Sequence, residues 1–212
     1  MTKIPVLYRI SKIILGPIFK LYYNPTIIGK ENIPKEGSII IAGNHKHLYD
    51  QCLTIIATKR FITYMAKKEY FDNKKVAWLF KAHGCIPVDR SKKDSGAKEK
   101  AIEVLNSGNA IGIFPEGTRN KTTEFLLPFK FGAVSMASKT DSYIVPFGIT
   151  GDYKFRSKNL TIRIGKPFKV GNMELEKAND KLYKQVEKLM KENLKKQNEK
   201  QRKIAKLLLL DC

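Results

Sequence analysis

Residues 38–50 read SIIIAGNHKHLYD, and residues 110–119 read AIGIFPEGTR. Each is a short apolar run that stops at a glycine- or proline-bearing polar turn. Runs of this length, bounded by turn residues, are read as buried strands and not as helices. Around them the chain alternates. Strand-like runs fall at 38–42, 61–65, 85–88, 110–114, 143–149 and 160–164, and helical patterns at 48–59, 75–82, 98–105, 131–138 and 173–206. Strands separated by helices predict an α/β domain with a largely parallel central sheet flanked by helices. In the last helical pattern Leu175, Leu182, Val186, Leu189 and Leu194 mark one face, and charged residues fill the rest. The Leu207–Leu210 run after it is too short to span a bilayer.

The polar turns hold the residues with chemistry. His45 and Asp50 are five positions apart, which on a regular helix puts them about 140° apart. They can meet if His45 lies on the loop after the first strand and Asp50 in the first turn of the next helix. A carboxylate on one imidazole nitrogen fixes the tautomer and leaves the other nitrogen as a base. The alternative for this pair alone is a polar turn with an acid at a helix start. FPEGTR follows an apolar run, so it belongs at the carboxyl end of a strand, the edge where open α/β sheets bind ligands. Gly117 allows close backbone approach and Arg119 offers a planar fork suited to phosphate. A plain strand-to-helix turn with a surface ion pair is the competing reading. Together the segments predict a site that deprotonates a hydroxyl on an anionic substrate.

At 212 residues and 42% hydrophobic content the chain fits one domain with a sizeable core. A net charge of +20 calls for an anionic partner: nucleic acid, an anionic membrane or a phosphorylated substrate. No nucleic-acid recognition motif and no aromatic-basic ribonucleoprotein signature is present, which sets that class aside. The three cysteines, Cys52, Cys85 and Cys212, form no CxxC pair, and with His45, His47 and His83 they complete no zinc spacing. So sparse a set fits a reducing compartment, and no cleavable signal peptide is evident.

Residues 4–23, IPVLYRISKIILGPIFKLYY, are apolar and aromatic but carry Arg9, Lys12 and Lys20. One helix of this length would just reach across a core of about 30 Å. Each central cation costs roughly 2.5–3.5 kcal/mol to insert, and Gly16-Pro17 interrupts the pattern. The stretch therefore predicts two short amphipathic helices lying in the interface, cations toward headgroups and Leu7, Ile10, Ile14, Phe19 and Tyr22 toward acyl chains. A helical pair packed on the domain's own core is the alternative.

NHKHLYD followed by FPEGTR resembles motifs I and III of the lysophospholipid acyltransferase superfamily. Between them, GCIPVDRS at 84–91 resembles the motif whose arginine, here Arg90, is associated with the acceptor phosphate. IVPF at 144–147 resembles the fourth motif, and MAKKEYF at 65–71 and LPFKFGA at 127–133 resemble the bacterial 1-acylglycerol-3-phosphate acyltransferases. The likeness runs in order from about Gly29 to Gly151. It departs from the family at three places. His47 stands where serine is common, leaving two imidazoles to choose between, of which only His45 has the family spacing to Asp50. Asn120 also replaces a common serine, and Lys130-Phe131 stands where two basic residues are usual.

The resemblance implies a glycerol-3-phosphate acyltransferase-like fold and direct acyl transfer from acyl-CoA or acyl carrier protein to the free hydroxyl of lysophosphatidic acid, forming phosphatidic acid in phospholipid synthesis. Other acceptors, such as glycerol 3-phosphate, a lysophospholipid or a lyso-aminolipid, are compatible with the motifs. It implies His45 as base, Asp50 as its orienting acid, and Arg90 and Arg119 on the phosphate, assisted by Lys67 or Lys68. Glu116, Gly117 and Thr118 would position the glycerol portion, with no cofactor or metal required. Residues 1–25 would dock on an anionic membrane and 26–212 form the acyltransferase domain. The protein would then lie on the cytoplasmic face of the cell membrane, peripheral or monotopic, with no nucleic-acid partner.

Overall fold

The computed structural model describes residues 4–89 and 94–208, with side chains as far as Glu199. Arg90, Ser91, Cys212 and the end of the Leu207–Leu210 run lie outside the described residues. In chain order the elements are α1 (Val6–Tyr23), β1 (Thr26–Ile28), β2 (Ile39–Gly43), α2 (Asp50–Ala57), β3 (Ile62–Lys67), α3 (Glu69–Asp72), α4 (Ala77–Ala82) and β4 (Ile86–Val88). There follow α5 (Ser95–Asn106), β5 (Ala110–Ile113), α6 (Gly132–Thr140), β6 (Tyr143–Thr150), β7 (Thr161–Ile164) and α7 (Leu175–Leu208). A 3₁₀ turn covers Lys30–Asn32. The seven strands form one sheet in the order β1-β7-β6-β2-β5-β3-β4, parallel except where β6 meets β7.

The apolar run at 39–42 is explained by its central place, since a parallel strand covered on both faces needs apolar residues at every position. Ile39 and Ile41 face the layer of α1 and α2, with Leu53, Ile62 and Tyr64. Ile40 and Ala42 face the layer of α5, α6 and α7, with Ala101, Val134, Leu182 and Val186. From β2 the chain passes through α2 to β3 on one side, and from β5 through α6 to β6 on the other. The connections of these two neighbours diverge, so a crevice opens at their carboxyl ends.

Several expectations are corrected. The first segment is one continuous helix, not two: Pro17 lies inside α1, and Gly16 is buried where α1 crosses α2 beside Ile56. Glycine marks a close approach there and not a break. Lys12 does not point outward; its Nζ donates to the carbonyls of Thr58 at 2.6 Å and Arg60 at 3.2 Å, capping the end of α2. Burial lowers its pKa to about 8. Leu7 and Phe19 are half-buried, whereas Val6, Ile10, Ile13, Ile14, Leu15, Ile18, Leu21 and Tyr22 are exposed. The buried stripe of α7 runs through Ala178, Leu182, Val186, Met190 and Asn193, leaving Leu194 exposed. Strand β1, three residues long, gave no recognisable run. No described helix is long and apolar enough to cross a membrane.

Candidate active site

The parallel strands bring five loops to one edge of the sheet: after β6, β2, β5, β3 and β4, in that spatial order. Gly43 closes β2, where a Cβ would run into the carbonyl oxygen of Phe147 on β6. The buried Asn44 then bonds both polar groups of Ile149: Nδ2 donates to its carbonyl at 2.9 Å, and Oδ1 accepts from its N–H at 2.7 Å. This fastening fixes where the next residue leaves the sheet.

That residue is His45. Its Nδ1 lies 2.8 Å from Oδ2 of Asp50, the first residue of α2, and the carboxylate is 0% exposed. The same oxygen accepts the N–H groups of Lys46 and His47, each at 2.7 Å. Asp50 Oδ1 accepts the hydroxyl of Tyr153 at 2.6 Å. A carboxylate so supplied acts as an acceptor toward the imidazole, so Nδ1 carries the proton and Nε2 is left basic. The ring stacks on Phe114, centroids 3.9 Å apart at 12°, and its side chain is 12% exposed.

FPEGTR meets this dyad through backbone. Glu116, 4% exposed, accepts the N–H of His45 at 2.6 Å on Oε1 and that of Leu127 at 3.0 Å on Oε2. The N–H of Asn120 donates to the carbonyl of His45 at 2.7 Å. Burial raises the pKa of Glu116, and the two amide bonds oppose that shift. Both of its oxygens are thus engaged by protein amides. Gly117 takes a left-handed conformation, φ 72°, with the Lys130 side chain lying over it. Thr118 is exposed, and Arg119 is half-buried with no hydrogen bond or ion pair among the described residues. A cavity of 330 Å³ opens between Lys46, Thr122, Phe125, Gly151 and Leu194, with His45 and Glu116 in its wall.

The structure therefore joins His45, Asp50 and Glu116 in one hydrogen-bonded cluster and sets Gly117, Thr118 and Arg119 on the adjoining turn. Lys67 ends β3 and Lys68 follows it at the start of α3, two strands from β2 and so about 10 Å away across the sheet. Both are exposed, and Lys67 pairs with Glu69 at 2.5 Å. His47 does not contact Asp50 through its ring; it stacks on Tyr153 at 4.3 Å and 18°. Sequence reasoning missed Asn44 and Tyr153, whose partners lie 105 and 103 residues away. No local spacing could have signalled them.

The family model described as Acyltransferase matches residues 24–150. The chain is 35% identical over 141 residues to the 1-acyl-sn-glycerol-3-phosphate acyltransferase of Borreliella burgdorferi, covering 66% of this chain but only 56% of that protein. It is 30% identical over 166 residues to the enzyme of the same name from Bacillus subtilis, 76% of this chain and 82% of that one. The crystal structure of the 1-acyl-sn-glycerophosphate (LPA) acyltransferase from Thermotoga maritima superposes with a TM-score of 0.72 over 91% of this chain and 83% of that chain. At 23% identity, that likeness is one of fold.

Proposed function

The chain belongs to the acyltransferase family, and on that premise we propose that it transfers a fatty acyl group from an acyl thioester to the free sn-2 hydroxyl of 1-acylglycerol 3-phosphate, giving phosphatidic acid. The observation that carries this reading is the His45–Asp50 pair at the divergence of β2 and β5. His45 Nε2 takes the hydroxyl proton as the oxygen attacks the thioester carbonyl. Collapse of the tetrahedral intermediate breaks the carbon–sulfur bond, and the thiolate leaves with the proton returned from the imidazolium. Arg119 and Arg90 bind the acceptor phosphate, assisted by Lys67 or Lys68. Glu116 sets the position of His45 through its backbone, and Gly117 and Thr118 line the approach of the glycerol. The donor is acyl-CoA or acyl carrier protein.

Residues 1–25 dock the enzyme on an anionic membrane surface, on the cytoplasmic face, and residues 26–212 form the catalytic domain. The outward apolar side of α1 and the net charge of +20 support this placement, since buried apolar side chains and attraction to anionic lipid add.

Turnover of lysophosphatidic acid with the two donors side by side tests the chemistry. His45→Ala should lower kcat about 10²- to 10⁴-fold with little change in melting temperature, whereas His47→Ala keeps much of the activity. An active His45→Ala beside a dead His47→Ala reverses the assignment. Deleting residues 1–25 should sharply reduce binding to anionic vesicles; undiminished binding would move the docking surface elsewhere.

A further inference from the structure

Asp50 is held unevenly. Three donors converge on Oδ2: Nδ1 of His45 and the amides of Lys46 and His47. Aspartate's terminal torsion is soft, so donors on both oxygens hold the carboxylate plane more firmly than donors on one. The donor on Oδ1 is Tyr153, three residues beyond the end of β6.

We propose that Tyr153 is a positioning residue for acyl transfer: its hydroxyl fixes the plane of the Asp50 carboxylate and, through it, the ring of His45. The proposal rests on His45 being the base. Tyr153 is itself firmly placed. Its ring stacks on His47 and meets Phe19, Tyr23 and Tyr49 edge-on or nearly so at 6.4, 5.7 and 6.2 Å. The second imidazole, which sequence left as a rival base, thus serves as the platform of this tyrosine. Phe19 and Tyr23 belong to α1, so the N-terminal helix forms part of the support behind the dyad. Burial, and after it the charge of Asp50, raises the pKa of the phenol well above its ordinary value. The group stays a donor throughout the working range of pH.

Tyr153→Phe tests the proposal, because it removes the hydroxyl and keeps the ring and its packing. The expected result is a kcat about tenfold lower, KM for lysophosphatidic acid and for the donor within about twofold, and a melting temperature within about 2 °C of the parent. In substrate-free protein, the low-field proton NMR signal of the His45 Nδ1–H should shift or broaden; it is identified by its absence in His45→Gln. A parental kcat with an unmoved Nδ1–H signal overturns the proposal. So does a kcat loss matched by an equally large KM change or a collapse in melting temperature, which would mean that the residue only packs. Should the parent protein not turn over lysophosphatidic acid, the functional reading fails, while the NMR comparison still decides the role of Tyr153.

Discussion

Arg60 and Arg119 stand at opposite edges of the same sheet and have opposite fates. Arg60 precedes β3, and its guanidinium donates to the carbonyls of Pro34 at 3.1 Å, Gly37 at 2.6 Å and Gly108 at 3.0 Å, which lead into β2 and β5. Its charge is consumed in fastening loops at the amino edge. Arg119, on the turn after β5 at the carboxyl edge, makes no hydrogen bond or ion pair among the described residues. The difference teaches how one sheet separates stability from chemistry. Backbone carbonyls satisfy the first arginine, while the donors of the second meet no protein partner among the described residues, as the proposed phosphate contact requires.

The comparison can be broken by exchanging the expected phenotypes. Arg119→Ala should raise KM for the acceptor about tenfold or more, because a hydrogen bond to a charged group is worth about 1.5–3 kcal/mol, and Lys should restore it only in part. Its melting temperature should stay near that of the parent. Arg60→Ala should do the reverse. A loss of about 2 kcal/mol, discounted because the group is partly exposed, lowers the melting temperature by about 4–8 °C with kcat and KM little changed. If Arg119→Ala melts early while acceptor kinetics stay put, the division of labour is wrong.

The effect of Lys12 appears only as a pH dependence, and it sharpens the view of the amino edge. Its folded pKa of about 8 lies below the ordinary 10.5, so between those values the unfolded chain binds a proton that the folded chain has released. The Lys12 contribution to stability therefore rises with pH across that window. Chemical denaturation from pH 7.5 to 10 should show the rise, and Lys12→Met should flatten it.

What could be read in the sequence was what local spacing controls. The His45–Asp50 contact spans one turn, and the SIIIA and AIGIF runs announce strands covered on both faces. The rest depended on contacts distant in sequence. Glu116 was assigned to the glycerol by resemblance, and nothing in FPEGTR shows that the amides of His45 and Leu127 would bond its two oxygens. Lys12 was read as facing headgroups by helical periodicity, but the end of α2 left carbonyls needing donors, and a lysine one helix away met that need. Gly16 was taken for a breaker because a close helix crossing and a break carry the same residue.

The attachment of α1 has a mechanical consequence. Near the amino edge it is tied by Lys12 to Thr58 and Arg60, and by the hydroxyl of Tyr8, which accepts the N–H of Ile62 at 3.4 Å. Near the carboxyl edge it is tied by Phe19 and Tyr23 to Tyr49 and Tyr153. A force exerted on the outer side of this helix is thus carried by two anchorages at opposite ends of the sheet at once. Loaded together, they resist as a plate under shear does, whereas a helix held at one end would peel contact by contact.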